Sequence, residues 1–592
     1  MDRSTVTDEA APGAAGTSSR RVLLSIARVV FLLTVVGCVV TFLQTFDPAP
    51  NRPADYGLWL GAVVAWGLLL STFGDAPFLG VRFRWQQLWP LAVVLVLFAA
   101  CWLAFYDNWR WAYTGDSFGV YGVTYWLPKN GLRTSLLSVH GIDNAFTYLW
   151  EVTYSWPMYF FGPDLIWHRV GQLIIACGAL AAIYFYFRMV VGNLWASIIV
   201  VATAMNYVWL WMTYVSYFKI DSNIFYFVML VWGTLIWRYP ERLGLWMMAG
   251  LTAGLSLFYT PSAWAGIMAV GLFVAAYGLV VRRVGAVFVA GASFLLISIP
   301  ILLEFEHMRG VVQMQSIPMG PDRQSFFPGF EYTWKIFREI LLAPYDSFLD
   351  KLGVSGPFFQ IPLGHAYLVG LAFGVLAISP LLRRTLRMPA ATPALFLLLI
   401  FDASLLAFSN KGYGNVSHKR SYNVIPLQMF FAILPFYLVY IWGSARRWWR
   451  LAAVGSTAVV LVFYGAMNAR AMMYPHNGMY GTNIYDGLIQ LRQTDPERQK
   501  FVFTTRDFQE ALSREGLFQF VYGLMDNVTL TREFTIEEFE RGCQVGALLC
   551  YEPNFDAKPF EALVTTFGNR MVKFEVVNSQ ELRCFECRPP QP

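Results

Sequence analysis

Long apolar runs separated by short polar, arginine-bearing stretches dominate the chain from Val22 to residue 467. A helix needs about 20 apolar residues to cross a bilayer. By that measure the candidate spans are 22–45, 56–74, 86–106, 166–190, 194–215, 222–238, 243–260, 262–281, 284–303, 365–381, 391–409, 423–443 and 450–467. The run from Val22 is long enough to span and lacks a small-residue cleavage site, so it reads as a span and not a cleaved signal. The pattern predicts a mainly α fold: a polytopic membrane bundle of about thirteen transmembrane helices over 22–467, after a polar, disordered tail over 1–21.

The positive-inside rule orients these spans. Arg20 and Arg21, Arg82 and Arg84, Arg238 and Arg242, Arg282 and Arg283, Arg383, Arg384 and Arg387, and Arg446, Arg447 and Arg450 all fall on one side if every span is counted. That side is expected to be the cytoplasm of a plasma (inner) membrane. The loops 107–165, 216–221, 304–364 and 410–422 and everything from 468 onward are then extracytoplasmic. Structureless loops as long as 107–165 and 304–364 are uncommon unless they serve a function. Amphipathic stretches such as Tyr332 to Leu342 suit the membrane interface.

Residues 468–592 change character. Phe501-Val-Phe-Thr-Thr reads as a strand, Asp507 to Leu524 as a helix, and Val528 to Arg532, Gly546 to Tyr551 and Met571 to Val577 as further strands. This alternation predicts a small extracytoplasmic α/β domain. Cys543, Cys550, Cys584 and Cys587 all fall in it. An even set of cysteines in an oxidising compartment reads as two disulfides, with three connectivities open. Cys584-Phe-Glu-Cys587 leaves zinc as the alternative. Cys38, Cys101 and Cys177 sit singly in apolar runs.

Composition agrees. Hydrophobic residues make up 56%, aromatic residues 17% and charged residues 14%, where a soluble chain carries about 25% charged. The net charge of +6 is explained by topology-setting arginines and gives no reason to expect nucleic acid.

Charge is scarce here, so charges at the external membrane edge carry information. Asp116 lies in Tyr113-Thr-Gly-Asp-Ser-Phe118, inside an aromatic-rich run. Lys219-Ile-Asp221 opens the span 222–238; an acid there caps a helix or serves a site. Lys411, His418, Lys419 and Arg420 cluster before the span 423–443, against the positive-inside trend. Guanidinium groups bind phosphate in bidentate fashion, and a basic pocket at a membrane edge suits a lipid phosphate. No set of metal-ligand spacings stands out in loop 304–364.

In this order the motifs resemble the polyprenyl-phosphate-dependent GT-C glycosyltransferases, the branch with protein O-mannosyltransferases and the lipid A aminoarabinose transferase. Tyr113 to Phe118 matches the acidic motif of the first long external loop, with Ser117 in place of a second acid. Phe218-Lys-Ile-Asp221 matches a second acid at the outer end of a later helix. Lys419-Arg-Ser-Tyr-Asn-Val-Ile-Pro426 looks like the Arg-Tyr-x-x-Pro segment of a late helix. Tyr154 to Arg169 resembles the Pro- and Gly-containing approach to the next helix. The similarity covers roughly 105–430. It implies a polyprenyl-phosphate-sugar donor and a glycan, lipid or protein acceptor in a membrane-lipid setting. It also implies transfer outside the cytoplasm with inversion at the anomeric carbon. Asp116 is the expected base and Asp221 a second catalytic-site acid. Arg420, Lys219, Lys419, His418, Arg169 and Tyr422 are expected to hold the donor. It names no certain cofactor and leaves a divalent metal open; Ser117 in place of a second acid argues against a two-acid metal site. A lipid-linked sugar transporter or flippase is the rival class, and a polysaccharide polymerase or ligase using lipid-diphosphate donors is the rival enzyme. The lack of an internal repeat and the edge position of the charges favour the transferase over the transporter.

Overall fold

A computed structural model describes residues 15–46, 52–73, 88–109, 148–162, 165–206, 220–259, 261–304, 363–409, 424–473, 498–503, 528–531, 536–544, 546–551, 565–574 and 583–587, with scattered positions at 209–213 and 333–341. The apolar runs named above fall on helices, with one exception, and the first helix begins at Ala15, inside the stretch expected to be a disordered tail. In chain order the helices are α1 (Ala15–Thr45), α2 (Pro53–Ser71), α3 (Trp89–Trp109), α4 (Tyr148–Phe161), α5 (Leu165–Val191), α6 (Asn193–Met205), α7 (Ile220–Arg238) and α8 (Leu243–Leu255). They continue with α9 (Pro261–Val280), α10 (Val284–Leu303), α11 (Leu363–Ala377), the short α12 (Pro380–Thr385), α13 (Thr392–Ser409), α14 (Val424–Trp442) and α15 (Arg447–Met473). Among the described residues, eight helices are long and apolar enough to cross a membrane. The helices over 193–205, 243–258, 266–280, 363–377 and 392–405 are apolar but shorter.

One predicted span is corrected. The run 194–215 does not form a single helix, because α6 ends at Met205. Asn206 stops it: its side-chain oxygen accepts the Trp209 N–H at 3.0 Å, and its amide donates to Tyr464 Oη at 2.8 Å. A side chain that satisfies the backbone locally competes with the helix ladder.

Helix packing depends on missing side-chain atoms. In α8, a Cβ on Gly250 would strike the Ala290 carbonyl, and one on Gly254 would strike Ile297 and the Phe294 carbonyl of α10. Gly370 of α11 meets the Phe431 carbonyl of α14 in the same way, and Gly374 meets Phe396 and Phe431. Both pairs are spaced four apart, the arrangement that lets membrane helices approach closely enough for dispersion forces to hold them. α14 sits innermost: every residue from Val424 to Leu434 is buried. α1 sits at the rim, with only 6% of its span buried. Residues within 333–341 dock onto the bundle, where Gln428 donates to the Ile340 carbonyl at 2.9 Å and Tyr367 to that of Leu341.

The C-terminal region forms a five-stranded sheet of β1 (Lys500–Phe503), β2 (Val528–Thr531), β3 (Leu548–Tyr551), β4 (Met571–Phe574) and β5 (Arg583–Cys587), in the order β2-β1-β3-β5-β4. β1 pairs in parallel with β2 and β3, and the other pairings are antiparallel. Parallel neighbours need a crossover, and α16 (Ile536–Gln544) lies between β2 and β3 in the chain. β5 and α16 are additions to the sequence reading; Asp507 to Leu524 lies outside the described residues. The four cysteines form Cys543–Cys587 and Cys550–Cys584, with Cα separations of 5.0 and 4.0 Å. Cys550 and Cys584 are direct cross-strand neighbours in the β3–β5 register. That register pairs Cys550 with Cys584 and leaves Cys543 for Cys587, the two-disulfide reading of the four cysteines. Bridges that close loops of 44 and 34 residues each contribute about 2–4 kcal/mol.

Candidate functional site

Asp221 lies in the first turn of α7 and is 1% exposed. A carboxylate among membrane helices is costly unless it is bonded. Tyr154 of α4 supplies one bond, its hydroxyl donating to Asp221 Oδ1 at 3.1 Å. Burial first, and then the Asp221 charge, push the Tyr154 hydroxyl well above its usual pKa, so it stays a proton donor. The geometry follows from the chain's turn at Gly162 (φ 99°). That turn sets α4 against α5 so closely that a Cβ on Gly171 would strike the Tyr154 carbonyl.

A second polar bridge lies beside the first. Thr153 donates to the Leu149 carbonyl at 2.8 Å, so the 3.1 Å contact between Thr153 Oγ1 and Tyr259 Oη is one in which Tyr259 donates. The Tyr259 ring packs on Phe225 of α7 with centroids 4.7 Å apart. Phe42, Trp59, Tyr154, Phe258, Tyr259, Ile297 and Ile301 form one buried cluster here. The end of α1, the starts of α2 and α7 and the ends of α8 and α10 therefore meet at one end of the bundle. Asp55, 1% exposed, belongs to the same end and accepts the Arg52 N–H at 2.7 Å.

Two residues beyond Asp221 sits Asn223, fully buried, with neither Oδ1 nor Nδ2 hydrogen-bonded. A buried amide left unmet costs about 1–3 kcal/mol. In a native protein such a group calls for an explanation, such as a bound water or ion or a functional role. A carboxamide both donates and accepts, which matches a hydroxyl.

Arg169, expected to touch the donor, is fully buried on α5. Its Nη1 donates to Gln172 Oε1 at 3.3 Å, which leaves the Gln172 amide to donate to His168 Nε2 at 3.0 Å. Arg169 thus anchors a polar chain along α5. Deeper in the bundle, Tyr226 of α7 donates to Asp402 Oδ2 of α13 at 2.6 Å.

Among the site residues expected from sequence, Asp221 and Arg169 are described. Asp116, Lys219, His418, Lys419, Arg420 and Tyr422 lie outside the described residues. Tyr154, Asn223, Gln172, His168 and Asp402 were not anticipated in these roles. Asp402 carried a readable signal, an acid inside the apolar run 393–408; a tyrosine within an aromatic-rich stretch carried none. Among the described residues, no group of three or more His, Cys, Asp or Glu side chains is placed to hold a metal ion.

No protein-family model and no curated protein matches the chain. Solved structures similar to it include ArnT from Cupriavidus metallidurans bound to undecaprenyl phosphate. That pair shares 14% identity at a TM-score of 0.42, covering 84% of this chain and 99% of the other. The same enzyme in the apo state gives 13% identity and a TM-score of 0.45, with the same coverage. The Archaeoglobus fulgidus oligosaccharyltransferase in complex with Zn and sulfate gives 11% and 0.41, covering 78% and 72%. At these identities and scores, function has to be read from this chain's own residues.

Proposed function

We propose that this protein is a membrane glycosyltransferase. It would move a sugar from a polyprenyl-phosphate donor to an acceptor hydroxyl at the extracytoplasmic face. The observation that carries the reading is the buried Tyr154–Asp221 hydrogen bond. It joins two of the four motif segments found in the sequence, Tyr154–Arg169 and Phe218–Asp221, at one end of the bundle. An acid held in a defined orientation beside an unmet amide is suited to gripping sugar hydroxyls.

The chemistry is a single displacement. The acceptor oxygen attacks the anomeric carbon while Asp116 takes its proton. The bond from that carbon to the phosphate oxygen breaks, the configuration inverts, and the lipid phosphate leaves as a monoester. Arg420 and Lys219 stabilise the charge that develops on the phosphate, and Lys419, His418 and Tyr422 are the further candidates for holding it. Asp221 and Asn223 orient the sugar.

The test is transfer from a polyprenyl-phosphate sugar by the full chain in nanodiscs, with donor binding measured separately. Asp116→Asn should lose about 10²–10⁴-fold in single-turnover rate with donor binding retained. Arg420→Ala should lose donor affinity as well as rate, by about 1.5–3 kcal/mol. Near-wild-type turnover by Asp116→Asn removes the base assignment. Passage of intact lipid-linked sugar across the membrane with no bond broken overturns the transferase reading in favour of a transporter.

A further inference from the structure

We propose that the opposite end of the bundle holds a built docking surface for the headgroup of an anionic glycerophospholipid. Two loops form it. One runs from the end of α11 through α12 to α13, and the other joins α14 to α15. The indole N–H of Trp442 donates to the Leu386 carbonyl at 2.7 Å, which pins the second loop to the first. That bond brings together Arg383, Arg384 and Arg387 with Arg446, Arg447 and Arg450. Residues 378–392 and 439–452 contain no Asp or Glu.

Six guanidinium groups without a local acid repel one another, and topology alone does not demand so many. The neighbouring loops on the same side manage with pairs, Arg238 with Arg242 and Arg282 with Arg283. Five of the six are exposed, Arg383 being half-buried, and Arg450 stacks over the Tyr440 ring at 5.4 Å. The charge is therefore presented outward and awaits an anion.

The surroundings identify which anion. Trp448 is 82% exposed and Trp449 53%. Indoles standing out at the end of apolar helices belong at headgroup level. Below them α15 continues as an uncovered apolar face, with Leu451 at 53%, Val459 at 70% and Val462 at 70% exposure. These three recur at helical spacing on one stripe. A soluble anion would use the arginines alone. A phospholipid uses all three layers, with its phosphate on the arginines, its ester region at the indoles and its acyl chains along α15.

The probe is dioleoyl phosphatidylglycerol against dioleoyl phosphatidylcholine, added to the delipidated full chain in detergent, with retained lipid counted by native mass spectrometry. Wild type should retain phosphatidylglycerol at least about tenfold better, and removing three of the arginines should bring the two lipids to within about twofold of each other. The variant is Arg446→Gln/Arg447→Gln/Arg450→Gln. Its control, Arg282→Asn/Arg283→Gln, removes charge from the same face away from the patch and should leave the preference within about twofold. Trp448→Ala/Trp449→Ala changes no charge, so it preserves topology, and it too should lose retained phosphatidylglycerol. Equal retention of both lipids by wild type overturns the proposal. So does a control variant that loses as much per arginine as the patch variant, since the preference would then belong to the whole face.

Discussion

Two acids in this bundle are each bonded by a tyrosine hydroxyl, and their settings differ. Asp221 opens α7 beside Asn223, whose amide meets nothing. Asp402 is the eleventh residue of α13, about 15 Å along that helix at 1.5 Å per residue. It is bonded by Tyr226 at 2.6 Å. Gly266 of α9 backs it so tightly that a Cβ there would lie 3.0 Å from the Tyr226 ring and 3.3 Å from Asp402 Oδ1. The first acid has an unmet polar neighbour and stands at a helix start. The second is buried between Tyr226 and Gly266 and ties α7 to α13. On the proposed reading, one pairing chemistry serves ligand recognition at the end of the bundle and cohesion in its middle.

The largest effect that would test this contrast is at Asp221. Asp221→Asn keeps the size and loses the charge. It should cut sugar transfer by about 10- to 10²-fold, the loss of a charged hydrogen bond of about 1.5–3 kcal/mol, while the thermal unfolding midpoint stays within a few degrees of wild type. A variant that unfolds early instead would make Asp221 a brace like Asp402.

Asp402→Ala should show the opposite pattern. Removing the acceptor leaves the buried Tyr226 hydroxyl unmet and should cost about 1–3 kcal/mol of stability, read as a lower midpoint in the same scan. Turnover per folded molecule should remain close to wild type. Full stability with abolished turnover would move Asp402 into the reaction site and end the distinction.

The smallest effect is the most discriminating. Asn223→Ala removes an amide that the protein leaves unsatisfied, so the ligand-free protein should be as stable as wild type or slightly more so. Donor affinity should fall by roughly fivefold, the loss of one hydrogen bond of about 1 kcal/mol. Calorimetry with and without donor separates the two. Lowered stability without donor would show that Asn223 is structural.

Much of the fold was legible because membrane helices announce themselves by length and apolarity. The exception is instructive. Hydropathy carries on past Met205 through Val208-Trp-Leu-Trp-Met212, so the run reads as one span. The break lies in a single carboxamide, Asn206, that bonds Trp209 and Tyr464. Asp221 was legible as an acid at the end of an apolar run. Tyr154 was not, since nothing in a stretch rich in Tyr, Trp and Phe distinguishes the ring that reaches across to another helix. Asn223 was hidden for a different reason: an unmet amide exists only relative to its packed surroundings. Asp402 could have been read from the rarity of acids in apolar runs. The partners of the four cysteines needed strand register, which sequence spacing leaves open.

The two disulfides are nested, with Cys550–Cys584 lying inside Cys543–Cys587 along the chain. A polypeptide delivered N-terminus first to an oxidising compartment presents Cys543 and Cys550 together, well before either true partner arrives. An oxidant acting on whichever thiols are available would join those two, and later Cys584 to Cys587, giving a pairing incompatible with the sheet. Reaching the native pairing therefore requires either that oxidation wait until β5 has docked beside β3, or that a thiol reopen the premature bridges by exchange. With the domain in such a compartment, biogenesis should accordingly depend either on the timing of thiol oxidation or on disulfide isomerisation. Chains that differ only in the timing of thiol oxidation should differ in yield.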